Sequence, residues 1–282
     1  MSWSVLVHPA ALVLVGVDIL LRAARLKLLL PSGAKLGQAV AVNAVGDAAS
    51  AVTPARLGGE AARFVGLRTI GIAAPRAVVT LGVERVVDLS LVGLVTLVAA
   101  LTLGGRGFRD VAALVQRLVS PGVLPWLVGV GFLVVGAALA AYRYRVRIPS
   151  AVRRSLAEAW RDARALTGGT LVATGALTLL SMVARVAVLP LLLWSAAPMG
   201  DPVPVVLGSF ALLYAQLVLP TPAGAGGVEL GFVVGVGTAL PPAETAALLL
   251  VWRAYTLGLP AGLGGLVLLN RVMGRRGAAT GA

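Results

Sequence analysis

The 282-residue chain has no cysteine and a single histidine, His8. The first absence removes disulfide frameworks, thiolate nucleophiles and Cys-based metal sites. Charge is scarce too. Only 12% of residues are Asp, Glu, Lys or Arg, where soluble domains carry about 25%. No G-x-x-x-x-G-K-S/T loop occurs, so hydrolysis of a nucleotide by this chain is not expected. No metal or nucleotide motif appears, and no catalytic residue, metal site or cofactor is expected. His8 lies near the first membrane interface and is read as incidental.

What fills the chain instead is apolar. The hydrophobic share is 59% and the mean hydropathy is +0.95. Apolar stretches run from end to end with no polar segment long enough to fold separately, which predicts one integral membrane domain over 1–282. The net charge of +13 comes mostly from Lys and Arg in short segments between apolar runs. That is the pattern of topology determinants and anionic-lipid contacts. It is not the pattern of a nucleic-acid binder, which would interleave a basic helix with aromatics.

A spanning helix needs about 20 mostly apolar residues. Val5–Leu21 is read as the first span and not as a signal peptide, because it lacks a basic n-region and a small-residue cleavage site. Ala77–Leu103, Leu124–Ala141, Thr170–Trp194 and Thr245–Leu269 are further candidates. Trp126, Trp160 and Trp194 fall near span ends, and Ser150–Leu166 has the spacing of an amphipathic surface helix. Arg143, Arg145, Arg147, Arg153, Arg154, Arg161 and Arg164 mark a cytoplasmic loop over 142–169, with Arg271, Arg275 and Arg276 on the same side. The tract Arg22, Arg25, Lys27 and Lys35 is assigned to that side as well, with the N-terminus outside. The segment 104–122 is placed outside although it holds Arg106, Arg109 and Arg117.

Two further apolar stretches are broken, and they carry the same motif. Gln38–Phe64 contains Thr53-Pro54-Ala55-Arg56-Leu57-Gly58-Gly59-Glu60. Val203–Leu240 contains Thr221-Pro222-Ala223-Gly224-Ala225-Gly226-Gly227-Val228-Glu229. Each T-P-A-x-x-G-G ends at a glutamate and is followed by an arginine, Arg85 at 25 residues after Glu60 and Arg253 at 24 after Glu229. Proline removes a backbone donor and glycine permits non-helical dihedrals, so Pro54, Gly58 and Gly59, like Pro222, Gly226 and Gly227, are expected to break helices. Broken backbone is tolerated at membrane depth only inside protein or beside a water-filled cavity. Charge bookkeeping makes the first broken stretch enter and leave from the cytoplasm and the second from outside. The expected fold is therefore all-α, a polytopic membrane helix bundle. It has two inverted-topology repeats, about 38–141 and 203–269, each with a broken or re-entrant helical hairpin, a plan recurrent in transporters.

Asp47, Arg56, Glu60, Glu84, Arg85, Asp88, Arg185, Glu229 and Arg253 fall within or beside spans, where each would be costly against lipid. Glu84 and Asp88 share a helix face, with Arg85 turned about 100° away. Arg85 with Glu60 or Asp88, and Arg253 with Glu229, are either structural pairs or ligand contacts. Arg56 and Arg63, near the inward hairpin, suit an anionic headgroup, since guanidinium matches phosphate oxygens bidentately. Asp47, Glu60 or Glu84 would be the bases if the chain were a membrane-embedded transferase.

Asn43-x-x-Gly46-Asp47, Pro54-Ala55-Arg56-Leu57-Gly58-Gly59-Glu60-x-x-Arg63, Glu84-Arg85-x-x-Asp88 and Pro222-x-x-x-Gly226-Gly227-Val228-Glu229 together resemble the membrane domain of lysylphosphatidylglycerol synthases, the flippase-like or UPF0104 family. The resemblance covers Leu20 to Leu269. It implies a translocase of an anionic phospholipid, polyprenyl or related lipid in a bacterial or archaeal cell membrane. No part of these residues resembles the soluble aminoacyltransferase domain of those synthases, so aminoacyl-lipid synthesis is not expected of them. Family members usually have one more span before Leu21-Arg22-Ala23-Ala24-Arg25. A non-transporting scaffold for a lipid- or glycan-modifying enzyme is the alternative. A cavity reaching both leaflets would favour the transporter, and solid packing between the hairpins the scaffold.

Overall fold

The computed structural model describes residues 6–31, 33–102, 166–196, 200–217, 219, 221–236 and 240–280, with 154, 157–158 and 161–164 between them. The expected span Leu124–Ala141, the 104–122 segment, Trp126, Trp160 and most of the basic loop lie outside the described residues. Among those described, the regular structure is helical apart from one isolated backbone bridge.

Helix α1, Val7–Leu29, is an unbroken run rich in Leu, Val and Ala whose only proline falls in its first turn, where a missing N–H costs nothing. At about 1.5 Å per residue it reaches roughly 35 Å, enough to cross a bilayer core. It stops because Pro31 forces Leu30 into extended backbone (φ −89°, ψ 162°). The helix thus continues past Leu21, where composition suggested that the span ends. Arg22 and Arg25 lie in its interior turns and not in a cytoplasmic loop, and their charge is matched there by carboxylates of neighbouring helices.

Helix α2, Leu36–Val52, ends in the same way, with Thr53 extended before Pro54. Ala55 and Arg56 then adopt left-handed backbone (φ 48° and 59°), and α3, Leu57–Thr69, turns back along α2. Gly58 and Gly59 are inside α3. Their role is close approach and not loose dihedrals, since a side chain at Gly59 would run into Ser50 and one at Gly58 into Thr53. Small residues at such crossings let membrane helices pack on backbone. Helix α4, Ala74–Thr102, follows.

The second half opens with α5, Gly168–Val186, and α6, Val188–Ala196. Pro190 has no N–H for the carbonyl of Val186, and Ser209 Oγ donates to that carbonyl instead at 2.8 Å. Ser209 belongs to α7, Val203–Ala215, which leads into the second break and then to α8, Gly227–Val236. In this break Ala223, Gly224 and Gly226 have positive φ (52°, 71° and 85°). Gly227 already belongs to α8 and is held small by Leu219. Helix α9, Pro242–Arg253, passes through a π turn, Ala254–Gly258, into α10, Leu259–Thr280. The wide turn precedes Pro260, which cannot donate to the turn before it.

Among the described residues, three helical stretches, Val7–Leu29, Gly168–Ser195 and Pro242–Met273, are long and apolar enough to cross a membrane. Apolar burial is divided between two cores that share α1. Its first half packs with α6 to α9 through Val188, Leu192, Leu212, Phe232, Leu248 and Trp252, the last two rings stacked at 5.6 Å. Its second half packs with α2, α3 and α4 through Ala23, Leu26, Val42, Leu67, Ala77 and Leu81. The two hairpin breaks meet through an antiparallel bridge between Pro54 and Pro222. Helix α10 lies along α2 so closely that a methyl group on Gly264 would strike the Ala44 carbonyl.

Candidate functional site

Where the two apolar cores adjoin, α1 presents Asp18, Arg22 and Arg25, spaced four and three apart and so on one face. Around them lies a cavity of about 430 Å³. Its lining includes Arg22, Arg25, Asn43, Asp47, Arg56, Glu60, Arg63, Arg85, Asp88, Arg185, Ser181 and Tyr214. The charges inside form two chains of ion pairs.

The first runs from α5 across α1 and α2 to the first hairpin break. Arg185 donates to Asp18 at 2.7 Å, and Ser181 Oγ donates to the other Asp18 oxygen at 2.5 Å. Arg22 Nε lies 3.2 Å from Asp18, while its Nη1 donates to both oxygens of Asp47 at 3.0 and 2.8 Å. Arg56 lies farther from Asp47, at 3.8 Å, and donates to Gln216 Oε1 at 3.1 Å. Gln216 closes α7 immediately before the second break, so Arg56 joins one hairpin to the other.

The second chain links α4, α3 and α1. Arg85 donates to Glu60 at 2.5 Å, and Arg63 lies 3.5 Å from Glu60 and bonds Glu84. Arg25 donates to the other Glu84 oxygen at 2.8 Å, bonds Asp88, and reaches Thr178 Oγ1 at 2.9 Å. Glu84 is 1% exposed. A carboxylate so deep is sustained only by its two guanidinium partners, since unpaired buried charge costs several kcal/mol.

Seven of the ten residues singled out from sequence, Asp47, Arg56, Glu60, Arg63, Arg85, Asp88 and Arg185, line this cavity. Glu84 lies beneath it as a shared anchor. Glu229 and Arg253, expected in the same cavity, are absent from its lining and form their own site on the second hairpin. There Arg253 donates to Glu229 at 2.5 Å and to the Ala223 carbonyl at 3.0 Å, and the Gly226 N–H donates to Glu229 at 2.6 Å. The match between repeats is close. In both, the arginine 24 or 25 residues downstream bonds the glutamate that ends the motif. Asp88 pairs with Arg25 and not with Arg85, as the shared face of Glu84 and Asp88 requires.

Asn43 entered only through the motif that carries the resemblance, and Asp18, Arg22, Arg25, Ser181 and Gln216 were not expected as site residues from sequence. Asp18 could have been: it is the lone carboxylate of the first apolar run, with Arg22 and Arg25 on its face. His8 also has a partner, the Tyr255 hydroxyl at 2.8 Å in the π turn. Of the basic segment, Arg154, Glu158 and 161–164 are helical, and Asp162 lies 3.9 Å from Arg76. Trp194 is exposed at the end of α6, as an interface residue would be.

A family model described as lysylphosphatidylglycerol synthase TM region matches residues 1–264. No curated protein and no solved structure gives a significant match.

Proposed function

Because the chain belongs to the lysylphosphatidylglycerol synthase transmembrane-region family, and so is a multi-pass membrane protein of lipid-related function, we propose that it carries an anionic lipid between the leaflets of a bacterial or archaeal cell membrane. The observation that carries this reading is the polar cavity beside the first hairpin break, walled by α1, α4, α5 and the end of α7. Its volume falls within the range of about 300–1,000 Å³ usual for small-molecule sites, enough for a phospholipid headgroup while the acyl chains stay in the bilayer. Six of its lining residues are arginines, the side chain best matched to phosphate.

The paired breaks support two inverted-topology repeats whose hairpins open to opposite faces. A lipid headgroup would enter beside one hairpin and leave beside the other. The Pro54–Pro222 bridge and the Arg56–Gln216 bond are the contacts that such a rearrangement would exchange. The open polar cavity beside the first hairpin supports a carrier over a solidly packed scaffold. The reading is of a carrier and not an enzyme, since Asp47, Glu60 and Glu84, the candidate bases, are each engaged by arginine.

The test is leaflet exchange of a fluorescent anionic phospholipid in liposomes containing the purified chain. Wild type should speed exchange, and Arg56→Ala and Glu229→Ala should abolish it. Equal exchange by wild type and both variants would sink the proposal.

A further inference from the structure

The two chains of ion pairs are not balanced alike. The second holds Arg25, Arg63 and Arg85 against Glu60, Glu84 and Asp88, three cations to three anions. The first holds Arg22, Arg56 and Arg185 against Asp18 and Asp47 alone. One positive charge is left over among the described residues, and it falls on the chain that ends at Arg56. The geometry locates it further. Asp47 is taken by Arg22, leaving Arg56 the longest ion pair of the set and one hydrogen bond to a neutral amide.

Unpartnered donors gather on the same residues. Arg22 Nη2, Asn43 Nδ2 and Arg63 Nε are buried and have no hydrogen-bond partner, while Arg22 Nε has only its ion pair to Asp18 at 3.2 Å. Asn43 is 5% exposed and lies one turn before Asp47 on α2, and all three residues line the cavity. Buried polar atoms are nearly always satisfied. Here every orphan of the cavity is an N–H donor, so the missing partner is a hydrogen-bond acceptor, and the spare charge makes it an anion.

Resting on the carrier reading, we propose that the cavity holds a phosphodiester headgroup of net charge minus one, its oxygens accepting from Arg56, Arg22 and Asn43. A phosphodiester without a headgroup amine neutralises the single spare arginine. A phosphomonoester, at about −1.5 to −2 near neutral pH, brings charge that no cation in the cavity matches. A zwitterionic headgroup brings a cation among arginines. A free phosphate could accept from the same donors, so lipid and ion are compared directly.

The experiment is binding to the purified full-length chain in a non-ionic detergent, read by thermal shift and by native mass spectrometry. The probes are dihexanoyl phosphatidylglycerol, dihexanoyl phosphatidic acid, dihexanoyl phosphatidylcholine and inorganic phosphate. The glycerol diester should bind tightest and saturably. Arg56→Gly and Asn43→Leu should each weaken it about tenfold, the effect of losing a hydrogen bond to a charged group, while Trp194→Ala leaves it unchanged. Equal binding of the choline lipid, tighter binding of phosphatidic acid or phosphate, or unaltered binding by Arg56→Gly would overturn the assignment. Should Asn43→Leu fail to fold, Arg56→Gly decides alone. Leaflet exchange without diester preference would leave the carrier reading standing and remove this one. Diester preference without exchange would do the reverse.

Discussion

Replacing Arg56 by glycine separates function from folding in a way few substitutions in a membrane core can. Arg56 has φ 59° and ψ 20°, a left-handed conformation that costs an L residue roughly 1–2 kcal/mol. Glycine adopts it freely, although its looser unfolded chain returns about 0.4–1 kcal/mol of that gain. The bond to Gln216 is lost, but so is the expense of keeping a guanidinium among Arg22 and Arg185, and Asp47 keeps Arg22 at 2.8 Å. These terms nearly cancel, and folding stability should change by no more than about 1 kcal/mol. The second repeat already has glycine at this motif position, Gly224, with φ 71°, so the hairpin accepts the exchange. What disappears is the spare positive charge. Exchange of the anionic lipid should fall at least about tenfold, equivalent to about 1.4 kcal/mol. The assays are liposome leaflet exchange and thermal melting of the same preparation. Undiminished exchange by a folded Arg56→Gly protein would refute the reasoning, and so would a protein that no longer folds.

Other substitutions should act on the fold. Glu84→Leu leaves Arg25 and Arg63 without their shared carboxylate and should cost about 3–5 kcal/mol, read as a lowered melting temperature in detergent. Ser209→Ala leaves the Val186 carbonyl unpaired beneath Pro190 and should cost about 1–3 kcal/mol, with Ser209→Thr restoring part of it in the same melt. Gly264→Leu forces α10 away from the Ala44 carbonyl and should cost more than the roughly 1–3 kcal/mol of ordinary overpacking. Protease sensitivity of the segment after Arg253 would report it.

The broken helices could be read from the chain because the signal is local and doubled. A proline fixes the residue before it, as at Thr53, and a motif seen twice with an arginine 24 or 25 residues later specifies its own ion pair. The interior of the cavity was harder to read. Arg22 and Arg25 follow an apolar run, and from sequence such arginines look like topology determinants. Only the arrival of Asp47, Glu84 and Asp88 from other helices makes them interior residues. Asn43 and Gln216 carry no charge to mark them, and their importance depends on which donor or acceptor is left over. Gly58 and Gly59 misled in the opposite direction. Glycine pairs suggest free backbone, but the left-handed positions fell to Ala55 and Arg56, and the glycines serve the α2 and α3 crossing.

That last exchange explains why the two halves are alike in backbone and unlike in charge. At the same motif position a side chain on Gly224 would meet Val228 at 2.9 Å, Gln216 at 3.1 Å and Leu219 at 3.2 Å. The second hairpin has no room for an arginine there, whereas the first directs one toward Gln216. The charge of the cavity therefore belongs to the α1 to α4 side and α5, while the end of α7 lines it with Leu213, Tyr214 and Leu217 and offers Arg56 only the neutral amide of Gln216. A pair of identical charged hairpins would place two spare cations at one bridge, each costly to bury. One charged and one neutral hairpin keep a single spare cation, held by a residue that accepts backbone strain to supply it. Such strain survives where the surrounding structure enforces it, and function is where it tends to collect. The bridge between Pro54 and Pro222 then joins the turn that carries Arg56, which would hold the anion, to the hairpin whose movement would release it.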